Sequence, residues 1–161
     1  MDRKRVVRLT GLILVVCLVG TAVTLIISRL LFGTVTNEPT TVEMEMDAPE
    51  QVTLNEPFVV TLQLTNVFTG SQTLHSIDLD NDYLKNVRLD GSNPEFGEIR
   101  PLPLTGFASY SFNWLLPARR TSTVELMFVP ERVGQFSGLV DVCLEDGTLC
   151  QALPLETEVV E

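Results

Sequence analysis

Histidine, tryptophan and cysteine are scarce in this chain, whose 161 residues hold one, one and three of them. The single histidine, His75, cannot furnish a structural zinc site, which takes four ligands. No Gly-x-Ser-x-Gly elbow and no Gly-rich phosphate loop occurs, so nucleophilic and phosphoryl-transfer chemistry have no recognisable seat. Cations are also few, 11 Lys and Arg against 21 Asp and Glu. Beyond residue 32 no segment keeps a 3.6-residue apolar period, which excludes a helical bundle.

What the chain does have begins at its amino terminus. "MDRKRVVR" is short and basic, and Leu9 to Ser28 is a run of twenty residues without a charge. At about 1.5 Å rise per residue such a run crosses a hydrocarbon core of about 30 Å, so residues 9–32 are expected to form a transmembrane helix. A cleaved secretory signal has a shorter apolar region and an Ala-x-Ala-like site, and none follows in "RLLFGTVTN". A lipoprotein signal places a small residue before the modified cysteine, whereas Val16 precedes Cys17.

Arg3, Lys4, Arg5 and Arg8 precede the run and only Arg29 follows it closely, which directs residues 1–8 to the cytoplasm and residues 42–161 outside. Five of the eleven cations therefore lie in the first 29 residues. Six remain against twenty acids, a formal charge of −14 on the rest of the chain. Such a surface repels phosphate backbones and anionic headgroups, so nucleic acid is not an expected partner. The expected localisation is a cell membrane, single-pass.

Residues 33–41, rich in Thr and with Pro39 among them, read as an extended linker. From Val42 the pattern becomes alternation, the mark of half-buried strands. "VEMEM" sets Val42, Met44 and Met46 against two glutamates; "PFVVTLQLTN" sets Phe58, Val60, Leu62 and Leu64 on one face. "LHSIDL" places Ile77 and Leu79 inward with His75, followed by a polar turn "DNDY". "ASYSFNWLL" aligns Tyr110, Phe112 and Trp114, "STVELMFV" aligns Val124, Leu126 and Phe128, and "QFSGLVDVCL" aligns Phe136, Val140, Val142 and Leu144. "LCQALPLETEVV" closes the series with Leu149, Leu153, Leu155 and Val159. Gly and Pro punctuate most of the gaps, and "SNPEFGEIRPLPLTG" suits a crossing between sheets. Seven or eight short strands in this spacing predict an antiparallel β-sandwich.

The opening "APEQVTLNEPFVVTLQLTN" and the ending "VPERVGQFSGLVDVCLEDGTLCQALPLETEV" resemble the immunoglobulin-like domains of bacterial and archaeal cell-surface proteins. The resemblance covers roughly Val42 to Val160 and implies an immunoglobulin-like sandwich, not an activity. The chain departs from the antibody pattern, for no cysteine pair joins two sheets across Trp114.

Cys143 and Cys150 bracket "LEDGTL", a turn between two alternating strands. With Asp146 and Gly147 at its tip, Leu144 lies opposite Leu149 and Cys143 opposite Cys150. Facing Cα atoms stand roughly 4.5–5.5 Å apart, within the reach of a disulfide. Leu144 shares the inward parity of Val140 and Val142, so both cysteines should point away from the core and staple the hairpin from its outer surface. An oxidising compartment agrees with a disulfide, whereas redox catalysis prefers Cys-x-x-Cys. Cys17 is unpaired.

Asp78, Asp80 and Asp82 match the first ligand positions of a calcium loop, but Tyr83 stands where its Gly should be and Leu89 where its Glu should be. No metal and no cofactor is expected, and Asp78, Asp80 and Asp82 stay only a weak calcium candidate. Gly20, Thr24 and Ser28 recur at four-residue spacing with Cys17 and Thr21 beside them, a small-residue stripe of the kind that lets helices pack closely in lipid. The expectation is therefore a non-catalytic, single-pass accessory or scaffolding subunit whose partners are other integral membrane proteins. The alternative is a stand-alone surface module binding glycan, peptide or calcium.

Overall fold

The computed structural model describes residues 41–145 and 147–161. The expected helix, its packing residues Cys17, Gly20, Thr21, Thr24 and Ser28, and the flanking Arg3, Lys4, Arg5, Arg8 and Arg29 lie outside the described residues. Among the described residues no helix is long and apolar enough to cross a membrane.

Among the described residues ten strands and one helical turn follow in chain order: β1 (Val42–Asp47), β2 (Gln51–Thr53), β3 (Phe58–Asn66), β4 (Gln72–Asp80), α1 (Asn81–Leu84), β5 (Val87–Asn93), β6 (Ile99–Leu102), β7 (Phe107–Leu116), β8 (Thr121–Pro130), β9 (Gly134–Leu144) and β10 (Leu149–Val160). They form a four-stranded sheet, β1-β3-β8-β5, and a six-stranded sheet, β2-β10-β9-β4-β7-β6. All pairings are antiparallel except β2 with β10. The fold is the expected β-sandwich.

Alternation decides which face is buried. On β3, Phe58, Val60, Leu62 and Leu64 are buried while Val59 and Gln63 are exposed; β8 repeats the pattern with Val124, Leu126 and Phe128. These side chains meet Ile77, Leu79, Val140, Val142, Leu144, Leu155 and Val159 of the six-stranded sheet in one core, with Phe112, Trp114 and Phe136 packed against it. Burial of apolar area at about 25 cal/mol per Å² is the main force holding the sheets together.

Two features depart from the sequence pattern. His75 was expected inward, yet Leu74 is fully buried and His75 is not. The register explains it: Leu74 pairs with Leu144 and Ser76 with Cys143, so His75 is an extra residue relative to β9, a bulge that switches the side-chain parity. The "DNDY" turn is α1, capped by the Asp80 side chain, which accepts from the backbone N–H of Asp82. It delivers Tyr83 to the core, where the ring lies edge-on to Phe128 and the hydroxyl is 2.8 Å from Thr157 Oγ1.

The crossing between sheets falls where Pro and Gly concentrate. β5 ends in the four-stranded sheet at Asn93, Asn93–Pro94 is cis, and β6 begins in the other sheet at Ile99. β6 carries Pro101 and lies at a sheet edge, where a missing N–H does no harm. At one end of the sandwich Asn66 organises the connections. Its side chain, fully buried with the residue, donates to the carbonyls of Gly70 and Leu116 at 3.0 Å each and accepts from the N–H of Phe68.

Candidate functional site

The hairpin has the expected register. Leu149 faces Leu144, and Cys150 faces Cys143 with the Cα atoms 4.1 Å apart and the sulfurs bonded. Closing a loop of this length stabilises by roughly 2.5 kcal/mol on the chain-entropy account. Cys143 lies outside the core cluster, as its parity requires, but it is only 2% exposed. The staple thus lies on the face away from the core, as expected, with Cys143 covered and Cys150 half-buried. Cys143 sits on a central strand with Ser76 of β4 on one side and Cys150 on the other, and these neighbours cover it. Glu145 and Gly147 hold positive φ at the tip, and a Cβ on Gly147 would come within 3.1 Å of the His75 ring. The lone histidine therefore packs against the turn.

The outer face of the six-stranded sheet carries a carboxylate pair. In register across five strands stand Arg100, Ser109, Asp78, Asp141 and Ala152. One buried oxygen of Asp78 and one of Asp141 have no hydrogen-bond partner. The other Asp78 oxygen lies 3.9 Å from Cys143 Sγ, a contact and not a hydrogen bond, because a disulfide sulfur has no proton. Arg100, the nearest cation in that row, is paired with Glu98. Burial, and then the charge of Asp78, push the Asp141 carboxyl above the usual carboxylate range.

The three aspartates of the weak calcium match do not converge. Asp78 faces Asp141, Asp80 caps α1, and Asp82 is an exposed partner of Lys85. Among the described residues no cluster of three or more His, Cys, Asp or Glu could hold a metal.

The described surface also carries two open clefts. One, of about 560 Å³, is lined by Glu50, Gln135, Phe136, Ser137, Glu156 and Glu158; the other, of about 670 Å³, by Asp80, Asn81, Asp82, Lys85, Thr105 and Phe107. Both are rimmed by carboxylates, so they favour neutral or cationic groups over anions. Sequence reasoning missed Asp141, which becomes conspicuous only when β4 and β9 are paired.

No protein-family model and no curated protein sequence matches the chain. Among solved structures it is similar to AvmM, which catalyses macrocyclisation in alchivemycin A biosynthesis, with a TM-score of 0.50 and 11% identity over 75% of this chain and 89% of that one. It is also similar to the cupredoxin domain of amoB from Nitrosocaldus yellowstonii, with a TM-score of 0.49 and 8% identity over 78% and 90% of the two chains. A CARDB domain from Pyrococcus furiosus gives a TM-score of 0.41 and 13% identity over 74% and 94%. At such identity the likeness to AvmM is one of fold alone.

Proposed function

We propose that this chain is a non-catalytic, single-pass membrane protein that presents an immunoglobulin-like sandwich outside the membrane as an accessory or scaffolding subunit of a membrane complex. The observation that carries the reading is the order of parts: the uncharged run Leu9 to Ser28, residues 33–41, and then a strand already paired at Val42. So short a link spans at most about 3.3–3.6 Å per residue and keeps the sandwich close to the bilayer. The stripe Gly20, Thr24 and Ser28 supplies the contact to another helix, because in lipid helices associate by close packing and hydrogen bonds.

The test is purification of the native protein in mild detergent with identification of the chains that accompany it. Gly20→Leu with Thr24→Leu should release those chains while leaving the protein inserted and folded, whereas Leu18→Ala should not. Retention of the partner by the Leu variant removes the helix-docking reading and favours a stand-alone surface module. Protease added outside intact cells, or spheroplasts, should digest the sandwich; full protection overturns the orientation.

A further inference from the structure

The six cations of the described residues are unevenly employed. Lys85 is paired with Asp82, Arg88 with Asp90 and Glu131, and Arg100 with Glu98. Arg132, which follows Glu131 in the chain, is exposed and has no carboxylate partner among the described residues; the same is true of Arg119 and Arg120, which are adjacent. They occupy the tight loop between β7 and β8, where Arg119 holds φ 56°.

That loop belongs to the end of the sandwich where the chain first joins it. The N–H of Asn66 donates to the Arg120 carbonyl, and the N–H of Val67 donates to the carbonyl of Thr41, the residue just before β1. Val67 and Phe68 are 45% and 49% exposed, and Leu115 on the same end is 59% exposed. An unpaired diarginine and an exposed aliphatic–aromatic pair thus flank the point where the linker enters. Among the described residues the acids on this end are Glu43, in one row with Thr65 and Thr121, and Glu145 of the hairpin, whose N–H donates to the Thr73 carbonyl; neither forms an ion pair with Arg119 or Arg120. The opposite end also has exposed apolar tips, Leu104 and Val133, and one unpaired cation, Arg132, but there Glu131 is its chain neighbour and Lys85 and Arg88 are paired with Asp82 and Glu131.

A domain of charge −14 should stand away from an anionic surface, but this end holds two adjacent cations that no carboxylate among the described residues pairs. We propose that the end formed by Val67, Phe68, Arg119 and Arg120 docks on the anionic lipid surface into which the chain is anchored. The guanidiniums take lipid phosphates and Phe68 enters the headgroup–acyl boundary. The proposal rests on reading Leu9 to Ser28 as a membrane span. Each basic residue near an anionic surface shifts the docked population by about fivefold, so the pair supplies about thirtyfold.

The experiment is amide exchange on the full chain in nanodiscs of phosphatidylcholine alone or mixed with phosphatidylglycerol. Amides 67–70 and 118–120 should slow in the anionic discs by at least about fivefold relative to the neutral ones, and those of 104–106 at the opposite end should not. Arg119→Asn with Arg120→Gln, or Phe68→Ser, should abolish the difference; Leu104→Ser should leave it intact. Exchange indifferent to lipid charge, slowing at 104–106 instead, or slowing that survives the arginine variant overturns the proposal. Protection that appears only when a second protein is restored overturns it too, and assigns the end to that protein. Alkaline extraction of the same membranes tests the anchor separately. An extracted chain overturns the span, and flotation of that chain with phosphatidylglycerol vesicles then decides the docking end by itself.

Discussion

Asp78 on β4 faces Asp141 on β9 across the middle of the six-stranded sheet, each with one buried carboxylate oxygen that no donor reaches. Like charges directly opposite one another on a sheet oppose its pairing, and here the flanking residues Ser109 and Ala152 offer no compensating cation. Burial, and then the charge of Asp78, let the Asp141 carboxyl hold its proton to higher pH than an ordinary carboxylate.

The sign of the pH dependence follows. A carboxyl whose folded pKa is raised binds more protons folded than unfolded, so stability falls as pH rises from about 3.9 through the folded value. Asp141→Asn should remove that slope and stabilise the fold at neutral pH. Denaturant midpoints at several pH values, for parent and variant, check it. A variant less stable than the parent at pH 7 would show that the second carboxylate is needed.

How much of this was legible beforehand depends on whether the determining contacts are local. β3, β8 and β10 were readable because their alternation is unbroken, and the disulfide because both cysteines belong to one hairpin. β5 was not: "VRLDGSN" carries Asp, Gly, Ser and Asn, and a register shift between Leu89 and Gly91 breaks its alternation. β2 is three residues long and β6 contains Pro101, so neither leaves a periodic signal. The carboxylate pair joins residues far apart in sequence, on strands whose register no local pattern sets. The diarginine was visible as letters, but only the hydrogen bonds of Asn66 and Val67 place it beside the start of β1.

The staple makes a second prediction. A non-reducing peptide map should show Cys143 joined to Cys150, and neither thiol should alkylate before reduction. Replacing both cysteines with Ala should lower stability by about 1–3 kcal/mol without abolishing the fold. Because Cys143 is 2% exposed, Cys143→Ser with Cys150→Ser should be worse than the Ala pair, since it buries a hydroxyl at that position. Equal midpoints for the two pairs would contradict the burial.

Tyr83 makes a third. Burial, partly offset by the Thr157 hydrogen bond, pushes its phenol up to about 12, so the fold should lose stability as pH rises from about 10 toward that value. Tyr83→Phe should flatten the alkaline slope and cost about 1–2 kcal/mol by leaving the Thr157 hydroxyl without its partner. Its neighbour Gly138 has no room for a side chain: a Cβ there would lie 2.7 Å from the Tyr83 Cβ. Gly138→Ala should therefore destabilise by about 1–3 kcal/mol, the usual range for overpacking, as read by thermal unfolding.

The last prediction concerns Asn66, which has no exposed surface and makes three hydrogen bonds with its side chain. Those bonds fix the loop after β3 and tie it to the end of β7, so they hold Phe68 and the diarginine loop in one arrangement. Asn66→Ala removes two donors and one acceptor and strands the carbonyl of Leu116 in the interior. At about 1 kcal/mol for each bond, and more for a buried group left unpaired, the expected loss is about 2–4 kcal/mol. Asn66→Asp should cost at least as much, because a carboxylate cannot donate to the two carbonyls and brings a charge beside them. Amide exchange should localise the damage to residues 67–71 and 117–120 under conditions where the paired core strands stay protected. Faster exchange spread evenly over both sheets would mean that Asn66 supports the whole sandwich and not this one end of it.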